Sequence, residues 1–196
     1  MAKIGSLNLW KSKKTVFTFK DIFLLTGETK VALLRRKLSY YVKTGELYPL
    51  RRGLYARSLD YDRYELATKI FTPSYVSFET VLGAAGIIFQ FYGQIFVASY
   101  QSREIICAGQ KYAFKKVKDT LLTNSAGLEN RDNYTIASPE RAFLDTLYLY
   151  KDYHFDNLAL LNWDKVREIL PIYGGNKRMA KMVDRYQEDV KKNLEK

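Results

Sequence analysis

The chain of 196 residues contains one cysteine and one histidine. A single thiol, Cys107, forms no internal disulfide. With His154 as the only imidazole, the usual zinc spacings are missing, and neither Cys–His nor Ser–His catalysis is expected. No glycine-rich phosphate loop occurs, because Gly83, Gly86 and Gly93 match neither nucleotide fingerprint. The longest apolar run, residues 81–89, is broken by Gly83 and Gly86. It falls well short of the ~20 residues that span a bilayer. Lys3, Lys11, Lys13 and Lys14 surround no apolar stretch of the kind a secretory leader needs. These absences lead to the expectation of a soluble cytoplasmic protein without metal or cofactor.

Acidic residues are scarce at one end only. Residues 1–57 hold 13 lysines and arginines against Asp21, Glu28 and Glu46, a net of +10 out of the chain's +11. The other 139 residues are nearly neutral, with 19 cations against 18 anions. A concentrated positive potential attracts polyanions. Apolar content of 47% is high enough to build a core, which excludes disorder for most of the chain.

Within the basic segment, residues 17–27 read as a short helix. Thr18 is the N-cap, Asp21 lies three residues on, and Gly27 stops it. A second helix is expected over 30–43, with Thr29 as cap and Gly45 after its last turn. Val31, Leu34, Leu38 and Val42 recur at helical spacing as its buried stripe. Thr29, Leu33, Arg36, Tyr40 and Lys43 lie opposite, with Ser39 beside them and Arg35 and Lys37 flanking the stripe. A helix with an apolar back and a basic, hydrogen-bonding front suits a major groove. Arg36 then reaches base edges and Lys43 reaches phosphate.

Residues 46–56 follow as two short strands around Arg51, Arg52 and Gly53. Gly53 supplies a positive φ at the turn. Pro49 confines its strand to an edge or a bulge. Helix, helix and basic hairpin in this order make a winged helix-turn-helix over residues 1–59, with Arg35, Arg36, Ser39, Tyr40, Lys43, Arg51 and Arg52 as candidate DNA contacts.

Residues 60–196 read as an α+β domain. A helix is expected over 60–71, packed through Tyr64, Leu66, Ala67 and Ile70 and ended by Pro73. Residues 74–86 read as an extended entry and a helix capped by Ser77 and closed by Gly86. Strands are expected over 94–100, 104–108 and 111–117, the last two joined at Gly109 and Gln110, with another over 134–137. Ser138 and Pro139 open a further helix on which Arg141 and Asp145, four apart, can pair. Helices over 163–170 and 177–194 finish the chain. Glu79, Glu140 and Asp145 are candidates for a carboxylate site, but capping and ion pairing account for the last two more simply, so no enzyme is expected.

Three stretches in order, residues 38–56, 73–87 and 137–148, resemble the AbiEi antitoxins of type IV AbiE toxin–antitoxin (abortive infection) systems. The wing pattern of basic residues, glycine, apolar residue and tyrosine is matched by Arg51, Arg52, Gly53, Leu54 and Tyr55. The resemblance runs from about residue 17 to the final helix. It implies an N-terminal winged helix that binds inverted repeats in its own promoter and represses the operon. It also implies a C-terminal domain that counters a nucleotidyltransferase toxin without a stable complex. The chain departs from the family at Ser39 and Tyr40, where basic residues are frequent, which shifts affinity toward the wing. A monomer in solution, cooperative on double-stranded DNA, is expected. The alternatives from other classes are a stand-alone regulator with a ligand- or partner-sensing domain, a module that binds an acidic protein, and a nucleotidyltransferase or nuclease.

Overall fold

The computed structural model describes Leu9 and residues 11–194. Of the N-terminal cations named above, Lys3 lies outside them. The fold is mixed α+β, with a three-stranded and a six-stranded sheet among the described residues.

The basic segment supplies β1 (Val16–Thr18), α1 (Phe19–Thr26), α2 (Val31–Lys43), β2 (Tyr48–Arg51) and β3 (Leu54–Ala56). β3 is the centre of the small sheet and pairs antiparallel with both neighbours. β1 has no counterpart in the sequence reading. Its three residues are too few to display a period, and the last of them, Thr18, is the helix cap. β2 is an edge strand, and its register shifts between Pro49 and Arg51. Both features suit Pro49, which has no N–H to give to a ladder.

Strand alternation divides the apolar residues of this segment between two cores. Phe17 packs with Leu9, Ile22, Leu34, Leu38 and Leu47. Val16 and Leu54 instead join the larger cluster formed by the rest of the chain. The basic segment thus has its own small core and also contributes to the main one.

The remainder runs α3 (Arg63–Ile70), β4 (Ser74–Val76), α4 (Glu79–Ala84), β5 (Gln94–Ser99), β6 (Arg103–Cys107), β7 (Gln110–Lys116) and α5 (Asp119–Leu122). Then come β8 (Leu128–Asn130), β9 (Thr135–Ala137), α6 (Pro139–Leu149), α7 (Trp163–Ile169) and α8 (Lys177–Leu194). The large sheet has the order β6-β7-β5-β4-β9-β8. Its longest pairing is the parallel pair β5–β7, in register from Gln94 opposite Lys111 to Ser99 opposite Lys116. Such a pair is buried on both sides, so β5 reads as a continuous apolar run, with Ile95 to Ser99 all buried.

Several local expectations change. α3 begins at Arg63, because Asp62 is the residue whose carboxylate accepts the N–H groups of Tyr64 and Glu65. Ser77 is not the cap of α4. That place is held by Phe78, at φ 56°, while the Ser77 hydroxyl donates to Asp145 at 2.8 Å. The β6–β7 turn is made by Ala108 and Gly109, both at positive φ, so Gln110 already belongs to β7. β8 was not foreseen; its exposed Glu129 and Asn130 carry no apolar signal.

α6 follows the sequence reading closely. Ser138 caps it by accepting the Arg141 N–H, and Pro139 occupies the first turn. Arg178 of α8 donates to the carbonyls of Leu147, Tyr148 and Tyr150. Leu147 and Tyr148 are in the last turn of α6, whose carbonyls have no helical partners, and Tyr150 is its C-cap, so α8 is pinned to the end of α6.

Candidate nucleic-acid interface

α1 is fixed by a reciprocal cap. Thr18 Oγ1 accepts the Asp21 N–H at 3.0 Å, and the Asp21 carboxylate accepts the Thr18 N–H at 2.9 Å. Lys14 adds an ion pair to Asp21 at 2.7 Å. Burial pushes the Asp21 carboxyl up, but the bonds from Lys14 and Thr18 outweigh it and hold the group below its usual range. Gly27 then turns the chain at φ 63°.

α2 starts one residue later than expected. Lys30 is its N-cap and uses no side-chain bond, so Thr29 does not cap it. Leu34 and Leu38 are the buried residues of its apolar stripe and Val42 packs at its edge. Val31 is 44% exposed and does not belong to the stripe. It is the first residue of the helix and is absent from the small core.

With Leu34 and Leu38 held inward, geometry puts residues 33, 36, 40 and 43 on the opposite side. Arg35, Arg36, Ser39, Tyr40 and Lys43 are all exposed. Ser39 Oγ donates back to the Arg35 carbonyl at 3.0 Å, leaving its lone pairs outward. Tyr40 stacks edge-on to Tyr41, with centroids 5.4 Å apart. Lys37 is occupied by Glu28 at 2.5 Å, and that hydrogen bond holds the Glu28 carboxyl below its usual range. Among the described residues, no carboxylate forms an ion pair with Arg35, Arg36 or Lys43.

The hairpin leaves the last turn of α2 directly, since the N–H groups of Glu46 and Leu47 both donate to the Tyr41 carbonyl. Arg51 closes β2 and Arg52 begins the turn; both are exposed, and neither is in an ion pair among the described residues. Gly53 takes φ 78°, the left-handed conformation that a side chain would strain. Its carbonyl accepts the Phe19 N–H at 2.9 Å, so the hairpin tip rests on the start of α1. The candidate contacts therefore stand on two adjoining elements with one shared core.

No protein-family model matches this chain, and no curated protein is similar to it.

The other candidates of the sequence fall apart into separate pairs. Glu79 is held by Lys115 at 2.9 and 3.0 Å, and Lys115 also donates to the Tyr150 hydroxyl at 2.6 Å. Glu140 accepts the Asn162 N–H, and Asp145 is paired with Arg141. His154 is almost fully exposed beside Asp156. No group of three or more His, Cys, Asp or Glu able to hold a metal occurs among the described residues. No helix among them is long and apolar enough to cross a membrane.

Residues that tie the basic segment to the rest of the chain were missed. Glu65 and Lys69 of α3 bond to Thr15 and Val16. The Cys107 thiol donates to the Leu50 carbonyl at 3.2 Å. Glu65 and Lys69, four apart on a helix, were the available signal, but their target lies some fifty residues earlier. Burial pushes the Cys107 thiol up, with nearby Arg51 opposing.

Proposed function

We propose that this protein is a DNA-binding repressor whose basic segment is a winged helix-turn-helix. α2 is the recognition helix and β2–β3 the wing. The observation that carries this reading is the outward face of α2. It exposes Arg35, Arg36, Ser39, Tyr40 and Lys43, and the hairpin that follows it exposes Arg51 and Arg52, neither of which is in an ion pair among the described residues. A helix of 13 residues is about 20 Å long, and B-DNA's major groove accepts such a cylinder. Arg36 and Tyr40 are assigned to base edges. Lys43, Arg51 and Arg52 are assigned to phosphates, with Ser39 and Arg35 in support.

The resemblance to AbiEi antitoxins extends the proposal. The protein binds inverted repeats in its own promoter as cooperating copies, and the remainder of the chain counters a nucleotidyltransferase toxin without a stable complex. We assign the chain no catalytic role.

A second reading, a stand-alone regulator that senses a small ligand, has one observation in its favour. A cleft of about 740 Å³ opens between Tyr61, Arg63, Thr80, Phe91 and Gln94, a size common to ligand sites.

Fluorescence anisotropy on the DNA upstream of the gene, beside a scrambled duplex at near-physiological salt, tests the repressor. A preference of about 1,000-fold or more for its own DNA is expected. Equal, weak, salt-sensitive binding to both refutes it. Where a nucleotidyltransferase gene adjoins this one, growth arrest by its product, relieved by this protein, tests the antitoxin role.

A further inference from the structure

The first strand of the basic segment is gripped by two side chains of α3. Glu65 is completely buried. Its Oε2 accepts the Thr15 N–H at 2.8 Å and the Thr15 hydroxyl at 2.7 Å, and its Oε1 accepts Lys69 Nζ at 2.6 Å. Lys69, one helical turn on, also donates to the Val16 carbonyl. The Thr15 hydroxyl in turn accepts the N–H of Asp62, the N-cap of α3, at 2.9 Å. One buried ion pair therefore holds backbone groups of two successive residues at the entrance to β1.

An ion pair at such a site is not needed for stability alone, since well-packed apolar residues often replace one without loss. It supplies direction. β1 is an edge of the small sheet, and that sheet carries the wing on its other edge. Fixing β1 on α3 fixes the angle of the sheet, and α2 follows through the shared core of Phe17, Leu34 and Leu47. The Cys107 thiol acts from the opposite edge on the Leu50 carbonyl.

We propose that Glu65 and Lys69 are positioning residues for DNA recognition, setting one angle at which the body presents α2 and the wing. The proposal rests on the DNA-binding reading. A reader held at one angle imposes one spacing on two copies at an inverted repeat, whereas a swivelling reader accepts several. Glu65 therefore governs spacing discrimination and leaves contact with a single half-site alone.

The test uses the full chain carrying Glu65→Gln. Residual dipolar couplings of its backbone amides report whether residues 16–56 and 63–190 share one orientation. Wild type is expected to fit a single alignment tensor and the variant to require two, with folded chemical-shift dispersion retained in both. On DNA from upstream of the gene, wild type is expected to reject a duplex with half a helical turn inserted between the repeats. The variant loses at least about fivefold of that discrimination, and its affinity for an isolated half-site stays within about twofold of wild type. A single tensor in the variant, or unchanged spacing discrimination, overturns the proposal. If Glu65→Gln does not fold, Thr15→Val, which removes the hydroxyl's bonds to Glu65 and Asp62 but keeps the Thr15 N–H bond to Glu65, is judged by the same two readouts. A wild type with no preference for its own DNA refutes the DNA-binding reading. The tensors still decide separately whether Glu65 fixes the orientation.

Discussion

Arg141 Nε and Asp145 Oδ1 lie 3.2 Å apart on successive turns of α6, and neither side chain reaches solvent. Asp145 also accepts the hydroxyls of Tyr75, Ser77 and Tyr173, at 3.0, 2.8 and 2.7 Å. Arg141 donates to Tyr75 and to the carbonyls of Leu121 and Ala126. Burial alone would lower the Arg141 pKa, but the Asp145 carboxylate raises it, so the guanidinium stays charged. The pair joins β4, α5, α6 and the turn at Tyr173 into one unit. It is scaffold, and the third motif of the family resemblance is used here to build the core.

Removing one member of this pair strands the other. Asp145→Ala is expected to lose about 3–5 kcal/mol of stability, measured by urea unfolding. The joint change Arg141→Met with Asp145→Leu should recover a large part of that loss. A single variant within about 1 kcal/mol of wild type would show that the network contributes little.

The α1 cap gives a pH dependence. Asp21 is held below its usual pKa of 3.8, so the unfolded chain binds its proton more readily as pH falls. The stabilisation is fully present above about pH 4 and is lost as the pH drops through the lower folded value. Asp21→Asn is expected to cost about 1 kcal/mol near neutrality. The difference between variant and wild type should shrink toward pH 2, as thermal melts across that range would reveal.

Arg51→Ala with Arg52→Ala removes two cations from the β2–β3 hairpin, the proposed wing. Binding to every DNA sequence is expected to weaken. The slope of log K against log salt should flatten by up to about two units. An unchanged slope would place the hairpin away from the DNA.

Arg36→Ala is expected to act differently. Its loss should relax discrimination at one or two base pairs by about 1–3 kcal/mol each. Binding to scrambled DNA should fall only modestly. Competition assays on singly substituted operators check this, and unchanged discrimination removes Arg36 from the set that reads bases.

The basic segment was the most legible part of the chain because its signals are local. The Thr18–Asp21 cap, Gly27, the Leu34–Leu38 stripe and the Arg52–Gly53 turn each act within four residues. Exposure of Arg36, Tyr40 and Lys43 then follows from helical period alone. α6 was legible for the same reason, through Ser138, Pro139 and the Arg141–Asp145 spacing. α8 likewise has the expected bounds, Lys177–Leu194.

Tertiary structure decided the rest, wherever a residue's role depends on something distant in the chain. β1 exists because β3 lies beside it, which three residues cannot announce. Ser77 looks like a cap, yet its hydroxyl turns to Asp145, since a buried carboxylate competes more strongly for a donor than a short helix does for an acceptor. Glu65 looks like a helix-surface acid and is instead the buried anchor of Thr15. Sequence alone determined where positive charge gathers and which helix face carries it, because charge and period are properties of neighbours. Only the folded chain decided what holds that face in place, because burial and hydrogen-bond partnership are properties of residues brought together from far apart.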